Sequence, residues 1–172
     1  KAPLPEVKRL FIIRPWMIHG PGNKGTLNLL YNVVSKGLPW PLAAFHNKRS
    51  FVSIDNLCYL IDQMIRNPEL NSGVYNFADD EVLSTNDIIS ITSEALGKKA
   101  KLWKTPKGFV NKLAKIGDVC SLPLNSERLK KLTESYVVSN QKIKNALGIG
   151  KLPLTAQDGM EKTIRSFVDN KS

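Results

Sequence analysis

The feature that most constrains the fold is a short apolar run that stops at a proline-containing loop. The run, Leu10–Ile13, reads LFII, and RPWMIHGPG follows over Arg14–Gly22. A run that is apolar at every position is typical of a strand buried on both faces of a parallel α/β sheet. Because Pro15 cannot continue a central ladder, the turn is expected at that residue. Ligands of such sheets bind beyond the carboxyl ends of the strands, so this segment is a candidate binding loop.

Further strands and helices are predicted to alternate along the chain. Apolar and polar residues alternate over Val74–Ala78, after a turn signal, and we expect this strand to lie parallel to Leu10–Ile13. A short strand is also predicted over Phe51–Ile54. Capping residues and helical apolar spacing mark the helices. Helices are predicted from Thr26 as cap to about Lys36, from Asp55 or Asn56 to Asn67, from Ser84, from Pro106 to Ile116, from Ser139 as cap to Leu147 and from Thr155, with a short strand at Ala100–Trp103 and an ambiguous stretch at Ser121–Tyr136.

Composition indicates one globular unit. The 172 residues, 42% of them hydrophobic, are enough to bury a sizeable core. No apolar run approaches the roughly 20 residues of a membrane helix. We therefore expect a cytoplasmic protein with no membrane partner. Cys58 and Cys120 lie far apart in apolar surroundings, which favours two buried thiols over a disulfide. With two histidines and no Cys-x-x-Cys pair, no metal site is expected.

The net charge of +10 leaves a nucleic-acid partner open as an alternative. Lysines are dense from Lys98 to Lys115, but Trp103 and Phe109 are the only aromatic residues among them. No RNA- or DNA-binding fingerprint is present. Solvated helix faces, with a few cations facing a dianionic substrate, are therefore favoured over nucleic acid.

Several segments carry a family resemblance. Arg14–Gly22 has the order Arg-Pro-x-x-x-His-Gly-Pro-Gly, residues 49–57 read RSFVSIDNL, and Gly37–Leu42 reads GLPWPL. Together with GVYNFA at Gly73–Ala78, these motifs resemble those of the extended short-chain dehydrogenases/reductases. Members of that family include NAD(P)-dependent nucleotide-sugar epimerases, dehydratases and 4-ketoreductases. The resemblance covers nearly the whole chain and points most towards enzymes acting at C4 of a UDP-hexose or UDP-N-acetylhexosamine.

The resemblance implies an α/β fold, namely the C-terminal part of a doubly wound Rossmann-type sheet plus a small mixed α/β substrate-binding lobe. Residues 1–25 and 68–80 would complete the sheet, and residues 26–67 and 81–172 would form mainly the lobe. The family's Gly-x-x-Gly-x-x-Gly turn and Tyr-x-x-x-Lys pair do not occur in this sequence. We therefore expect a fragment without the N-terminal cofactor-binding half, inactive alone, of an NAD(P)-dependent epimerase, dehydratase or reductase.

By the same resemblance, two positions would contact the cofactor, which is NAD or NADP. Pro15 matches a position whose backbone contacts the nicotinamide amide. His19 precedes Gly-Pro, as a histidine or tyrosine usually does in the family, and a packing role is favoured for it over acid–base work. No catalytic residue is expected in the chain, because the proton-transfer pair is missing.

Other positions would contact the substrate phosphates. Arg49 matches an arginine that clamps the diphosphate, since a planar guanidinium offers paired donors and stays charged in a cleft. The alternative is an exposed arginine ahead of a strand. Met17 stands where hexose 4-epimerases commonly carry asparagine, and because Met cannot donate a hydrogen bond, backbone amides near Thr26 and Leu27 would substitute. Arg128 is a second candidate phosphate ligand.

The base and the hexose would have their own contacts. Trp40 and Leu42, in the segment that lies along the base in the family, would form an apolar wall, although a core role for Trp40 is equally open. Tyr136 matches a position near the hexose. The expected partners are a UDP-sugar, the missing N-terminal half and a second copy in a homodimer. A basic interaction module without catalysis and a catalytically silent redox sensor stay open as other readings.

Overall fold

Seven helices and two small parallel sheets form the part of the chain that the structure describes. The computed structural model describes residues 8–23, 25–120 and 125–169. In chain order the elements are β1 (Phe11–Pro15), β2 (Ile18–His19), α1 (Thr26–Ser35), β3 (Val52–Ser53), α2 (Ile54–Arg66), β4 (Gly73–Phe77), α3 (Thr85–Ala95), α4 (Lys107–Cys120), α5 (Ser126–Thr133), α6 (Gln141–Leu147) and α7 (Ala156–Asp169).

The two sheets each contain two parallel strands. β1 pairs with β4 in the register Phe11 to Gly73 through Pro15 to Phe77, which confirms the predicted parallel pair. β2 pairs with β3. The turn expected at Pro15 falls after it instead, because a proline at the end of a strand removes only one donor and the next amide, Trp16 N, donates to Phe77 O at 2.9 Å. The carboxyl ends of β1 and β4 therefore lie side by side.

Two groups of buried side chains hold these elements together. One group joins α1, α3, α4, α5 and α7, and includes Leu30, Ile88 and Ile164. The other packs β4, α2 and α6 together, and includes Phe77 and Leu60. Phe77 and Leu60 are fully buried, whereas Ile12 on β1 is 48% exposed. β1 is therefore covered less than the continuous apolar run predicts.

Helix starts agree with the sequence at α3 and α7. Ser84 and Asp87 form the predicted capping box, with Asp87 N donating to Ser84 Oγ and Ser84 N donating to Asp87 Oδ2. Thr155 Oγ1 accepts from Asp158 N at the start of α7. The caps expected at Thr26 and Ser139 were wrong by one residue, because Gly25 is the N-cap of α1 and Asn140 that of α6. Helix α2, expected to start at Asp55 or Asn56, begins at Ile54 with Ser53 as its N-cap.

The strand predicted at Ala100–Trp103 is wrong. This segment contributes only isolated bridges, from Leu102 to Trp40 and from Lys104 to Leu42. Within the ambiguous stretch, residues 121–124 lie outside the described residues and α5 follows them. The helix predicted from Pro106 to Ile116 exists but extends to Cys120 as α4.

Burial also corrects the expectation for cysteine. Cys58 is exposed on α2, so the prediction of a buried thiol is wrong at that position. The side chain of Cys120 lies outside the described residues. None of the helices in the described ranges is long and apolar enough to span a bilayer.

Candidate functional site

A cavity of about 170 Å³ opens where β1 ends. Three residues predicted to bind substrate, Met17, Thr26 and Leu27, line it together. An adjoining cavity of about 220 Å³ follows the loop from Ile18 to Asn23. The first cavity thus occupies the place where ligands of parallel α/β sheets bind. Its other lining residues are Ile18, Asn23 and Phe51.

The backbone of Met17 has an unusual conformation in this cavity. Its φ of 35° lies in the left-handed region, and Met17 is the one residue other than glycine with positive φ in the described part of the chain. Such a conformation costs an L side chain energy and persists only where the surroundings enforce it. The loop leaving β1 is therefore held in a specific shape, with the Met17 side chain 38% exposed at the cavity.

The N-terminus of α1 faces the same cavity. Gly25, with φ of 101°, is the N-cap, and no side chain caps the first turn. That turn also contains no acidic residue. Its backbone N–H groups at Thr26 and Leu27 are donors that an intrahelical bond does not use, and the helix dipole favours an anion beside them. This end of α1 can therefore accept a phosphate group.

A buried polar cluster supports the loop from beneath. His19 is 1% exposed and its Nδ1 lies 2.9 Å from Thr163 Oγ1. The Thr163 hydroxyl also lies 3.0 Å from Gly159 O, so it connects the imidazole to the backbone of α7. His19 Nε2 lies 3.7 Å from Asp79 Oδ2. The ring is thus a packed link between the loop and α7, and its contact with a cofactor stays a prediction.

Asp79 is a buried acidic residue beneath the loop that the sequence analysis did not single out. The residue is 4% exposed, and its carboxylate accepts from Asn56 Nδ2 at 2.8 Å and from Ser53 N at 3.1 Å. Asn56, which is fully buried, also donates to Leu154 O. The available signal was position, because Asp79 directly follows the strand that pairs with β1. Parallel strands bring such residues to one edge of the sheet.

Arg49 is buried and lies against the end of α5. Its Nε donates to Glu134 O at 3.2 Å and its Nη2 donates to Lys131 O. Carbonyl groups at a helix C-terminus attract cations, so Arg49 caps α5. A guanidinium has more N–H groups than these two bonds use, so donors remain for a ligand. Burial lowers the pKa of Arg49, and the nearby Tyr136 and Glu134 oppose that shift.

Tyr136 lies next to Arg49. The Arg49 Cζ lies 5.9 Å from the Tyr136 ring centroid, and the two backbones form a bridge. The Tyr136 hydroxyl donates to Glu134 Oε2, which raises the pKa of Tyr136. The single phenol proton is therefore used by Glu134, and the phenol oxygen can accept a further hydrogen bond. Arg128 is exposed on α5, eight positions before Tyr136 in the chain.

Trp40 and Leu42 belong to the core. They are 5% and 4% exposed and pack in the group that contains α1 and α3. The Trp40 Nε1 atom is buried without a hydrogen-bond partner in the described part of the chain. Of the two readings left open for Trp40, its position therefore favours the core. Neither residue lines the cavity that Met17 lines.

The chain is similar to known proteins over most of its length. No family model matches the chain. The chain is 32% identical over 91% of its length to a UDP-glucose 4-epimerase of Vibrio cholerae. It is 25% identical over 97% of its length to an N-acetyl-α-D-glucosaminyl-diphospho-ditrans,octacis-undecaprenol 4-epimerase of Escherichia coli O157:H7. The chain spans about half the length of these curated relatives, 46% and 52% respectively.

Solved structures share the fold. The Bordetella bronchiseptica enzyme WbmG, in complex with NAD and UDP, matches 94% of the chain with a TM-score of 0.64 at 14% identity. A dTDP-glucose 4,6-dehydratase of Bacillus anthracis, in complex with NAD, matches 94% with a TM-score of 0.62 at 16% identity. The chain covers 45% of each of these structures.

Proposed function

The chain corresponds to the C-terminal portion of an extended short-chain dehydrogenase/reductase of the nucleotide-sugar epimerase and dehydratase family, and on that premise we propose its function. It supplies the substrate-binding part of an NAD(P)-dependent enzyme that acts at C4 of a UDP-hexose or UDP-N-acetylhexosamine. One observation carries the proposal: a relative named UDP-glucose 4-epimerase is 32% identical along 91% of this chain. The cavity beyond β1 supports it, because the uncapped N-terminus of α1 offers backbone donors for a phosphate at that cavity.

The phosphates of the substrate would lie between the uncapped end of α1 and Arg49. Phe51, two residues after Arg49, lines the cavity, so the segment that carries the guanidinium also reaches the cavity wall. The backbone of Arg49 is fixed on both sides, through hydrogen bonds with Leu83 and the bridge to Tyr136. A cation on a fixed backbone loses little freedom when it binds an anion. Tyr136, whose phenol O–H donates to Glu134, would then accept a hydrogen bond from the sugar through its phenol oxygen.

The chain would contribute few residues to the cofactor site. Pro15 is exposed at the carboxyl end of β1, where a backbone contact with the nicotinamide is accessible. His19 is buried, so its side chain fits a supporting role under the loop rather than a direct one. NAD(P) bound there would supply hydride-transfer chemistry. The residues described here would orient the sugar nucleotide beside it.

A second substrate class shares the same chemistry. The relative from E. coli O157:H7 is named for a hexosaminyl diphosphate carried by undecaprenol, so a diphosphate and a hexose are common to both substrates. Comparing UDP-N-acetylglucosamine with farnesyl-diphospho-N-acetylglucosamine in the same binding titration separates the two classes.

The test is a calorimetric titration of the chain with UDP-glucose, with ADP-glucose as the competitor nucleotide. We expect binding of UDP-glucose, weakened about tenfold or more in Arg49→Gln, because a charge-assisted contact contributes roughly 1.5–3 kcal/mol. Arg66→Gln is the matched control, since Arg66 is an exposed arginine on α2 that pairs with Asp62. Equal affinity of the Arg49 variant and the control would remove the proposed phosphate contact.

The structural role of Arg49 requires a second variant. Arg49→Lys keeps the cation that caps α5 but loses the paired donors that a phosphate prefers. We expect Arg49→Lys to melt near the temperature of the unaltered chain and still bind UDP-glucose more weakly. If the lysine variant binds UDP-glucose as tightly as the unaltered chain, the guanidinium only caps α5 and does not contact the phosphates.

A further inference from the structure

Helix α4 carries a stripe of large apolar side chains that the core does not cover. Phe109, Leu113 and Ile116 follow each other at positions i, i+4 and i+7, which places them on one line along the helix. Their exposed fractions are 57%, 42% and 53%. Val110 and Ala114, on the neighbouring face, are buried in the core and hold the helix to the protein. The stripe is therefore a surface feature on a helix that is already anchored.

Trp103 is a further exposed apolar side chain, six residues before Phe109 in the chain. It is 61% exposed, whereas Trp40 is buried. Tryptophan is amphipathic and is enriched where proteins meet a membrane interface. We call Trp103, Phe109, Leu113 and Ile116 the α4 apolar surface.

Positive charges predominate around this surface, although α4 also carries the exposed Asp118 near its C-terminal end. Seven lysines and no aspartate or glutamate lie in residues 98–117. Lys112 and Lys115 are exposed on α4 itself, and Lys104 is exposed beside Trp103. None of these three lysines forms an ion pair with another residue of the described ranges. The surface thus combines apolar side chains with cations that have no internal counter-charge.

We propose that the α4 apolar surface docks the protein onto an anionic lipid bilayer surface. An amphipathic helix with Trp, Phe and Leu on one side and lysines on the other lies in the headgroup region, where it buries apolar area and attracts anionic lipids. The lysine stems can lie along the apolar surface while their ammonium groups reach the phosphates. The helix is peripheral in this arrangement and does not span the bilayer.

The residue types distinguish a bilayer from the other occupants of a basic surface. Nucleic acid is bound by phosphate contacts with aromatic rings that stack on bases, and the aliphatic Leu113 and Ile116 have no such use. A second copy of the chain would bring the same lysines face to face, which like-charge repulsion opposes. An anionic bilayer satisfies the apolar and the cationic side chains together. This inference concerns location and is independent of the reaction proposed above.

The test is cosedimentation of the chain with lipid vesicles. We expect binding to vesicles of phosphatidylglycerol and phosphatidylcholine, and little binding to phosphatidylcholine alone. The double variant F109S/I116S should bind at least tenfold more weakly, because it removes two of the large apolar side chains that the lipid would bury. Trp103 fluorescence should shift to shorter wavelength with the anionic vesicles and stay unchanged with the neutral ones.

Matched control variants distinguish binding through this surface from non-specific adsorption to the vesicles. Ile65→Ser removes an apolar side chain that is 73% exposed on α2, and it should leave vesicle binding unchanged. K112Q/K115Q should weaken binding, whereas K36Q/K151Q, which removes two exposed lysines elsewhere, should not. Circular dichroism confirms that each variant is folded, and all the substituted side chains are on the surface.

Several results would overturn the proposal. Absence of binding to anionic vesicles would do so directly. Equal loss of binding in the control variants would show adsorption by net charge alone. A dimer in sedimentation equilibrium that F109S/I116S dissociates, without vesicle binding, would assign the surface to a second copy. Tight, salt-dependent binding to RNA or DNA that outcompetes the vesicles would assign it to nucleic acid.

Discussion

Replacing Asp80 by asparagine should destabilise the protein in a pH-dependent way. Asp80 directly follows Asp79 after β4, and its carboxylate joins three segments. Oδ1 accepts from Lys144 Nζ at 2.6 Å and from Asn140 Nδ2 at 2.8 Å, and Oδ2 accepts from Leu152 N at 3.0 Å. Burial raises the pKa of Asp80, but the hydrogen bonds from these partners outweigh it, so the pKa lies below its ordinary value.

The magnitude follows from the bonds that the substitution removes. Asparagine keeps the shape but offers one acceptor oxygen and no charge, so the ion pair with Lys144 and one hydrogen bond are lost. A charge-assisted bond contributes roughly 1.5–3 kcal/mol, and the exposed 19% of the Asp80 side chain reduces this through water screening. We expect D80N to lower the free energy of unfolding by about 2 kcal/mol at pH 7.

The pH dependence identifies the cause. A carboxylate whose folded pKa is depressed stabilises the protein above its unfolded pKa, which is about 3.9 for aspartate. That stabilisation is lost as the pH falls through the folded pKa of Asp80. The difference between the unaltered chain and D80N should therefore shrink between pH 5 and the acid limit of the assay, roughly pH 2–3.

Urea unfolding followed by circular dichroism at several pH values measures this difference. Asp62→Asn is the matched control, because Asp62 also pairs with a cation at 2.8 Å, but at an exposed site on α2. It should leave the urea midpoint nearly unchanged. A D80N effect that is equally large at pH 7 and pH 3, or that the Asp62 variant reproduces, would refute the reasoning.

Three other substitutions probe the packing and the loop. In Gly159→Ala the new Cβ would lie 2.9 Å from Ser53 Cβ, so α7 must shift and the urea-measured stability should fall by about 1–2 kcal/mol; an unchanged midpoint would contradict this. Ser84→Ala removes the capping oxygen of α3 and should lower the free energy of unfolding by about 1 kcal/mol. An unchanged free energy of unfolding would show that the cap does not stabilise α3. In Met17→Asn the new residue tolerates the positive φ of 35° at this position and adds an amide donor. Both the urea midpoint and the affinity for UDP-glucose should therefore rise. A fall in either would argue against the assigned loop conformation.

The sequence predicted elements best where the cause was local. The capping box at Ser84 and the alternation near Val74 depend on neighbouring residues, and both features are present. The start of α2 was misplaced because Ser53, expected within a strand, accepts from Asn56 N and ends that strand early. The strand expected at Ala100–Trp103 failed because single bridges to Trp40 and Leu42 replace a ladder.

The sequence predicted only part of the candidate site, because several of its contacts join residues that are far apart in the chain. The grouping of Met17, Thr26 and Leu27 follows from their place just after β1, which sequence patterns locate well. The capping of α5 by Arg49 joins residues 82 and 85 positions apart, and no local pattern encodes such a contact. The link between His19 and Thr163 spans 144 positions and was equally hidden.

The most direct test of the central claim is a map of where a UDP-sugar contacts the chain. Amide chemical shifts of the isotope-labelled chain are recorded during titration with UDP-glucose. The account predicts that the shifts change in the loop after β1, at the start of α1 and around Arg49, while α4 amides stay unchanged. Changes confined to α4 and its lysines, or scattered over the surface, would contradict a sugar-nucleotide site at the carboxyl end of β1.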